Sequence, residues 1–316
     1  KISVPLLLSV SAVWYSFSII STEDTEKLIS SFRQADYSWV LLGTLLGLLS
    51  HLSRAYRWRF QFEPMGYKIK LGNSIMAVFA AYLINYTIPR AGEVARASVL
   101  TNYEGIPFEK SFGTIVSERI ADMVVMLGII FVTLFLQFDF IFAKLSDSIS
   151  IYKIIITAVL AVIIILILSR IIQKGNSKII LKIKSFLNGL LEGVLSIFKM
   201  KKKWPFIFHT LFIWGMYILM FYVTSFSIPE TSDIPFAAIL VGFILASFSI
   251  AATNGGIGVY PLAIYAAFSV FNIPKAPSLL FGSIMWGSQT LMIVFFGGLS
   301  LLYLPFYNRK ISKTNF

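Results

Sequence analysis

The chain has 316 residues, 57% of them hydrophobic and only 13% charged, with a mean hydropathy of +0.80. Too few polar side chains remain to cover a soluble domain of this size, and the alternating strands of a porin-like barrel are missing, so the composition predicts an all-α polytopic integral membrane protein. The net charge of +12 is confined to a few stretches between apolar segments, which fits membrane topology rather than nucleic-acid binding, and the lack of cysteine excludes disulfides, thiol nucleophiles and thiolate metal sites.

The first apolar run, Ile2 to Ile20, has no small-residue cleavage site and reads as a first span rather than a signal peptide. An acidic stretch, residues 21–36, carries Glu23, Asp24, Glu26 and Asp36 against Lys27 and Arg33, and reads as an outside loop. The second span, Tyr37 to Ser53, ends in RAYRWRF; residues 54–70 carry Arg54, Arg57, Arg59, Lys68 and Lys70 against Glu63 and read as cytoplasmic. Next come an apolar helix from Leu71 to about Tyr86, the segment NYTIPRAGEVARASVL, a turn at YEGIP, and a long helix from Phe108 to Phe138 that is polar at its start and apolar afterwards.

Ile151 to Ser169 reads as a further span. Residues 170–203 hold nine Lys and Arg against the single Glu192, and their apolar positions recur at helical spacing, so an amphipathic helix at about 172–203 is expected on the inner leaflet, anchored by anionic lipids. Trp204 to Phe226 forms another span, followed by an acidic outside loop, the apolar helix Phe236 to Ala252, the glycine-rich TNGGIGVYP, a short apolar segment to about Phe271, and a last span from Pro277 to Leu304. The tail, residues 305–316, carries Arg309, Lys310 and Lys313, so both termini are expected in the cytoplasm and the protein in the cell (inner) membrane.

The two halves, 1–138 and 151–304, match in spacing: Tyr37 to Asn85 is 48 residues and Trp204 to Thr253 is 49, while Pro89 to Phe138 and Gly255 to Leu304 are both 49. Their charge patterns give opposite orientations. This predicts an inverted-topology repeat of about six full spans plus two broken or re-entrant helix pairs, whose breaks meet in a polar site. Asn85, Pro89, Arg90, Glu93 and Arg96 mark the first break. Glu118, Arg119 and Asp122 lie three or four apart on the following helix, where the two carboxylates are natural partners for Arg90 and Arg96. At the second break, Asn254, Gly255, Gly256, Gly258 and Tyr260 offer backbone and side-chain groups to a ligand. Charges at membrane depth are costly and pair, face water or bind something; the bland alternative is two tight turns and a solvated surface helix.

Three motifs in order, P-R-A-G-E-x-x-R at Pro89 to Arg96, S-E-R-I-x-D at Ser117 to Asp122 and G-G-I-G-V at Gly255 to Val259, resemble the flippase-like transmembrane domain of the lysylphosphatidylglycerol synthase/flippase family. The resemblance implies movement of lipids or lipid-linked headgroups between leaflets. Two positions depart from the family pattern: Asn254 stands where Pro often precedes the glycine pair, and Pro261 where Glu often follows. The soluble aminoacyl-transfer domain of two-domain members is expected to be absent.

The leading expectation is therefore a lipid flippase in which Arg90 and Arg96 contact a phosphate-bearing headgroup and Glu93, Glu118 and Asp122 orient them or engage a cation or proton. No catalytic residue, cofactor or metal is expected: His51 and His209 stand without a His/Glu cluster and read as packing residues, and no GxxxxGKS/T string for ATP occurs. An intramembrane enzyme acting on a lipid or polyprenyl phosphate, or a non-transporting scaffold, are the alternatives. A homo-oligomer is left open, since Gly43 and Gly47, four apart, serve packing within one chain as well as dimerisation.

Overall fold

A computed structural model describes residues 22–88, 90–137 and 200–309, together with the isolated positions 11 and 181. All regular structure among these residues is helical. The helices are α1 (Thr22–Gln34), α2 (Tyr37–Phe62), α3 (Leu71–Thr87), α4 (Ala91–Glu104), α5 (Phe108–Leu136), α6 (Lys203–Ser225), α7 (Phe236–Ala252), α8 (Val259–Ser269) and α9 (Lys275–Tyr307). Of these, α5, α6 and α9 are long and apolar enough to cross a membrane; α7 and α8 are apolar but shorter. The predicted spans at 2–20 and 151–169 and the amphipathic helix at 172–203 lie largely or wholly outside the described residues.

Two expectations are corrected. Residues 22–34, read as a loop, form α1, whose Leu28, Ile29 and Phe32 recur at helical spacing and which packs on α9. The helix read as ending at Ser53 continues to Phe62, because Arg54, Arg57 and Gln61 are buried rather than solvated. Asp36 caps its start by accepting from the Ser38 N–H at 2.9 Å.

The described residues fall into two compact units, one drawn from Lys1–Arg119 and Lys201–Phe316, the other from Ile120–Met200. In the first, the order long helix, hairpin, long helix occurs twice: α2, α3–α4 and α5, then α6, α7–α8 and α9. Helices α2 and α6 pack along each other, with Gly43 set against Thr224 and Met220 of α6. Gly47 faces Met220 and, on α9, Gln289. The small pair therefore serves contacts within this chain. In the hairpin α3–α4, a Cβ at Gly92 would run into the Ala81 carbonyl, so only glycine lets the helices approach this closely. The hairpin α7–α8 packs on its neighbours through aromatic rings: Phe221 of α6 meets Phe243, Phe268 and Phe281 edge-on, and Phe268 stacks on Phe281 of α9, with ring centroids 5.0–6.5 Å apart. The described part of the second unit is mainly the C-terminal part of α5, where Leu127, Phe131 and Phe135 are exposed, as a lipid-facing surface requires.

Candidate functional site

Three arginines from two helices converge on Glu118 of α5. Arg54 Nη1 approaches its Oε1 at 2.7 Å, Arg57 Nη2 the same oxygen at 2.9 Å, and Arg96 Nη2 its Oε2 at 3.0 Å. All four are buried, Glu118 to 1% exposure. Spacing explains the convergence: Arg54 and Arg57 are three apart and share one face of α2, while Arg96 lies on the face of α4 turned to the same point. Arg57 and Arg96 are supported from behind. Arg57 Nη1 donates to Thr210 Oγ1 of α6 at 2.7 Å, and its guanidinium lies 5.1 Å from the Phe206 ring. Arg96 lies 3.8 Å from the ring centroid of Trp58, which is fixed in turn by donating Nε1–H to Thr114 Oγ1 at 2.8 Å.

Among the described residues, three guanidiniums thus meet one carboxylate in a knot. Glu118 lies ten residues into α5 and Arg96 eight residues before the end of α4, about 15 Å and about 12 Å along their helices. On α2 the knot sits toward the C-terminal end, with Arg57 five residues before Phe62.

Arg96 also forms the floor of a cleft lined by Ala81, Tyr82 and Asn85 of α3, Glu93 of α4 and Arg119. Arg119, 47% exposed, donates to Glu93 Oε1 at 2.8 Å across its mouth. Asn85 accepts from the Gly92 N–H at 2.8 Å and sets its amide 3.4 Å from Glu93, so the hairpin turn itself aims the acid. The free space beneath the pair is that of about one water molecule.

The sequence-predicted residues divide into groups. Asn85, Glu93, Arg96 and Arg119 line the cleft, and Glu118 binds its floor. Arg90 adopts a left-handed backbone (φ 63°) ahead of α4, is exposed, and has no ion-pair partner among the described residues, so Arg96 rather than Arg90 engages Glu118. Pro89 lies outside the described residues. Asp122 is buried and belongs to the other compact unit.

Asn254, Gly255, Gly256, Gly258 and Tyr260 belong to the second hairpin. The Tyr86 ring occupies the space a Cβ on Gly255 would take, the Gly255 carbonyl accepts from Trp286 Nε1 at 2.8 Å, and Thr290 Oγ1 donates to the Tyr86 hydroxyl at 3.2 Å. The tips of the two hairpins thus meet through Tyr86. Gly256 N–H donates to Thr253 Oγ1 at 3.0 Å and Tyr260 N–H to the Gly256 carbonyl at 2.9 Å, which closes the turn on itself.

Sequence reasoning missed Arg54, Arg57, Trp58, Thr114 and Thr210. The available signal was the spacing of Arg54, Arg57, Trp58 and Gln61 on one helical face. His51 is buried among the rings of Phe79, Tyr82 and Tyr217, and His209 shares a hydrogen bond with Ser53 at 2.8 Å; both pack as expected. Among the described residues no group of His, Cys, Asp or Glu could hold a metal.

Comparison with known proteins gives a family match, the lysylphosphatidylglycerol synthase TM region, over residues 2–298. The UPF0104 membrane protein MJ1595 of Methanocaldococcus jannaschii is 26% identical over 310 residues, covering 87% of this chain and 88% of that protein. Glycosyltransferase AglD of Haloferax volcanii is 30% identical over 107 residues, 34% of this chain and 17% of that protein. No solved structure matches.

Proposed function

Because this polytopic helical membrane protein belongs to the family of the lysylphosphatidylglycerol synthase transmembrane region, we propose that it moves a lipid with a phosphate-bearing headgroup between leaflets, with the Arg54–Arg57–Arg96 knot as the anion site. The observation that carries this reading is the convergence of three buried guanidiniums on one carboxylate beside a cleft. Charge at membrane depth pairs or binds something, and a phosphate arriving from the cleft brings negative charge to three clustered guanidiniums. Guanidinium forks match phosphate oxygens, and Glu118 holds three of them in register. A phosphate is larger than the one water the cleft admits, so entry requires the Arg119–Glu93 pair to part.

Two hairpins whose broken tips meet supply the alternating framework, in the manner of inverted-repeat transporters. The proposal places the protein in the cell membrane with both termini cytoplasmic and anionic inner-leaflet lipids around the basic stretches. The chain contains no ATP-binding motif, so coupling is to an ion gradient or absent.

The test is leaflet exchange in proteoliposomes. Arg96→Ala is expected to lower exchange of an anionic phospholipid at least about tenfold, the range for losing a charged contact to a bound anion. Unchanged exchange by a folded variant overturns the reading, and a chemically altered lipid in place of a relocated one replaces it with an enzymatic one.

A further inference from the structure

Where the hairpin tips meet, the groups are polar but uncharged. Asn254 is 3% exposed and its Oδ1 has no hydrogen-bond partner among the described residues. Gln289 of α9 has its amide oxygen against Gly47, while its Nε2 is buried and also lacks a partner. The first is an acceptor and the second a donor, and buried groups of either kind normally find partners. Their chain neighbours are in contact: the Tyr86 ring lies over Gly255, Trp286 is held to the Gly255 carbonyl, and Thr290 is on the Tyr86 hydroxyl. Trp286, Gln289 and Thr290 are three and four apart, so one face of α9 presents all of them to the tip contact.

We propose that this junction is a second subsite, which takes the uncharged, hydroxyl-bearing part of the headgroup. Hydroxyls both donate and accept, so those of one headgroup can donate to Asn254 Oδ1 and accept from Gln289 Nε2, and the Tyr86 and Trp286 rings offer apolar surface to a polyol or sugar backbone. The neighbouring Asn85 leads into the arginine-floored cleft, so phosphate and hydroxyls of one headgroup are read on either side of the α3 tip. The assignment rests on the transport reading only for the identity of the ligand as a lipid.

Binding of short-chain lipids to the full chain in detergent, followed by native mass spectrometry, tests it. Dihexanoyl phosphatidylglycerol supplies open-chain hydroxyls, dihexanoyl phosphatidylinositol ring hydroxyls, and dihexanoyl phosphatidylmethanol the same charge with none. At least one hydroxylated lipid is expected to bind about tenfold tighter than phosphatidylmethanol, and which one identifies the source. Asn254→Leu and Gln289→Met, each checked by thermal unfolding, are expected to bring that lipid down to the phosphatidylmethanol level. Equal binding of all three lipids by the unsubstituted protein, or an undiminished preference in either folded variant, overturns the subsite. Leaflet exchange measured in parallel separates the two proposals: a headgroup preference without exchange overturns transport alone, and exchange without a preference overturns the subsite alone.

Discussion

The hairpins α3–α4 and α7–α8 share a build and differ in what fills it. The first is turned at a left-handed arginine, braced by Asn85 on the Gly92 amide, and faces a knot of buried charge. The second is turned on Gly255, Gly256 and Gly258 and held by close packing, with Gly242 against Phe221 and Phe268, and Gly282 of α9 against Pro261. One hairpin carries the electrostatics; the other supplies a rigid, neutral counterpart for it to meet. A buried charge needs fixed surroundings, because a mobile neighbour would let water in and remove its advantage.

The sharpest way to break this contrast is Glu118→Ala. It strips three buried guanidiniums of their shared carboxylate and is expected to cost about 3–5 kcal/mol of stability, read as a lower denaturation midpoint in detergent. A small effect would mean that the knot is already hydrated and that the first hairpin is no more electrostatic than the second.

Gly255→Ala comes next. Its φ of 65° disfavours any Cβ by about 1–2 kcal/mol, and the Tyr86 ring occupies that space. A double-mutant cycle with Tyr86→Ala is expected to show a coupling of about 0.5–3 kcal/mol; strict additivity would show that the tips do not meet. The smallest change in stability belongs to Arg119→Gln. Its half-exposed pair with Glu93 contributes about 0–1 kcal/mol, yet losing it is expected to speed leaflet exchange and weaken the dependence of exchange on salt.

Much of this frame was legible in the sequence. The helix at 236–252 falls where its apolar run predicts, and the second break lies at its glycine-marked positions, whereas the left-handed residue of the first is Arg90. Of the site, Arg96 and Glu118 could be paired on paper, as could the cleft residues around Asn85.

Arg54 and Arg57 could not. A basic cluster after an apolar run looks the same whether it ends a span at the cytoplasmic face or continues into a buried knot. Only the arrival of Glu118 from a distant helix separates the two cases. Arg90 shows the converse: its motif neighbours are engaged, but its position at the turn puts it on the surface. Motif membership fixes residue order, whereas burial depends on which face the neighbouring helix covers.

The knot also bears on how the chain is made. Arg54 and Glu118 are 64 residues apart, so α2 leaves the ribosome well before its carboxylate exists. At 5–20 residues per second the delay is roughly 3–13 s, during which each arginine opposes insertion, by at most the roughly 2.5–3.5 kcal/mol of a helix-centre position. Helix α2 is therefore expected to linger at the translocon or the interface until α5 arrives, making Glu118 a checkpoint of biogenesis as well as a site residue. The chain has no native cysteine, so Ala55→Cys, at a position wholly buried in the finished protein, can report this with an impermeant maleimide. Labelling is expected in nascent chains ending at Gly105 and protection in the complete chain. Protection already at Gly105 would show that the two arginines cross without their partner.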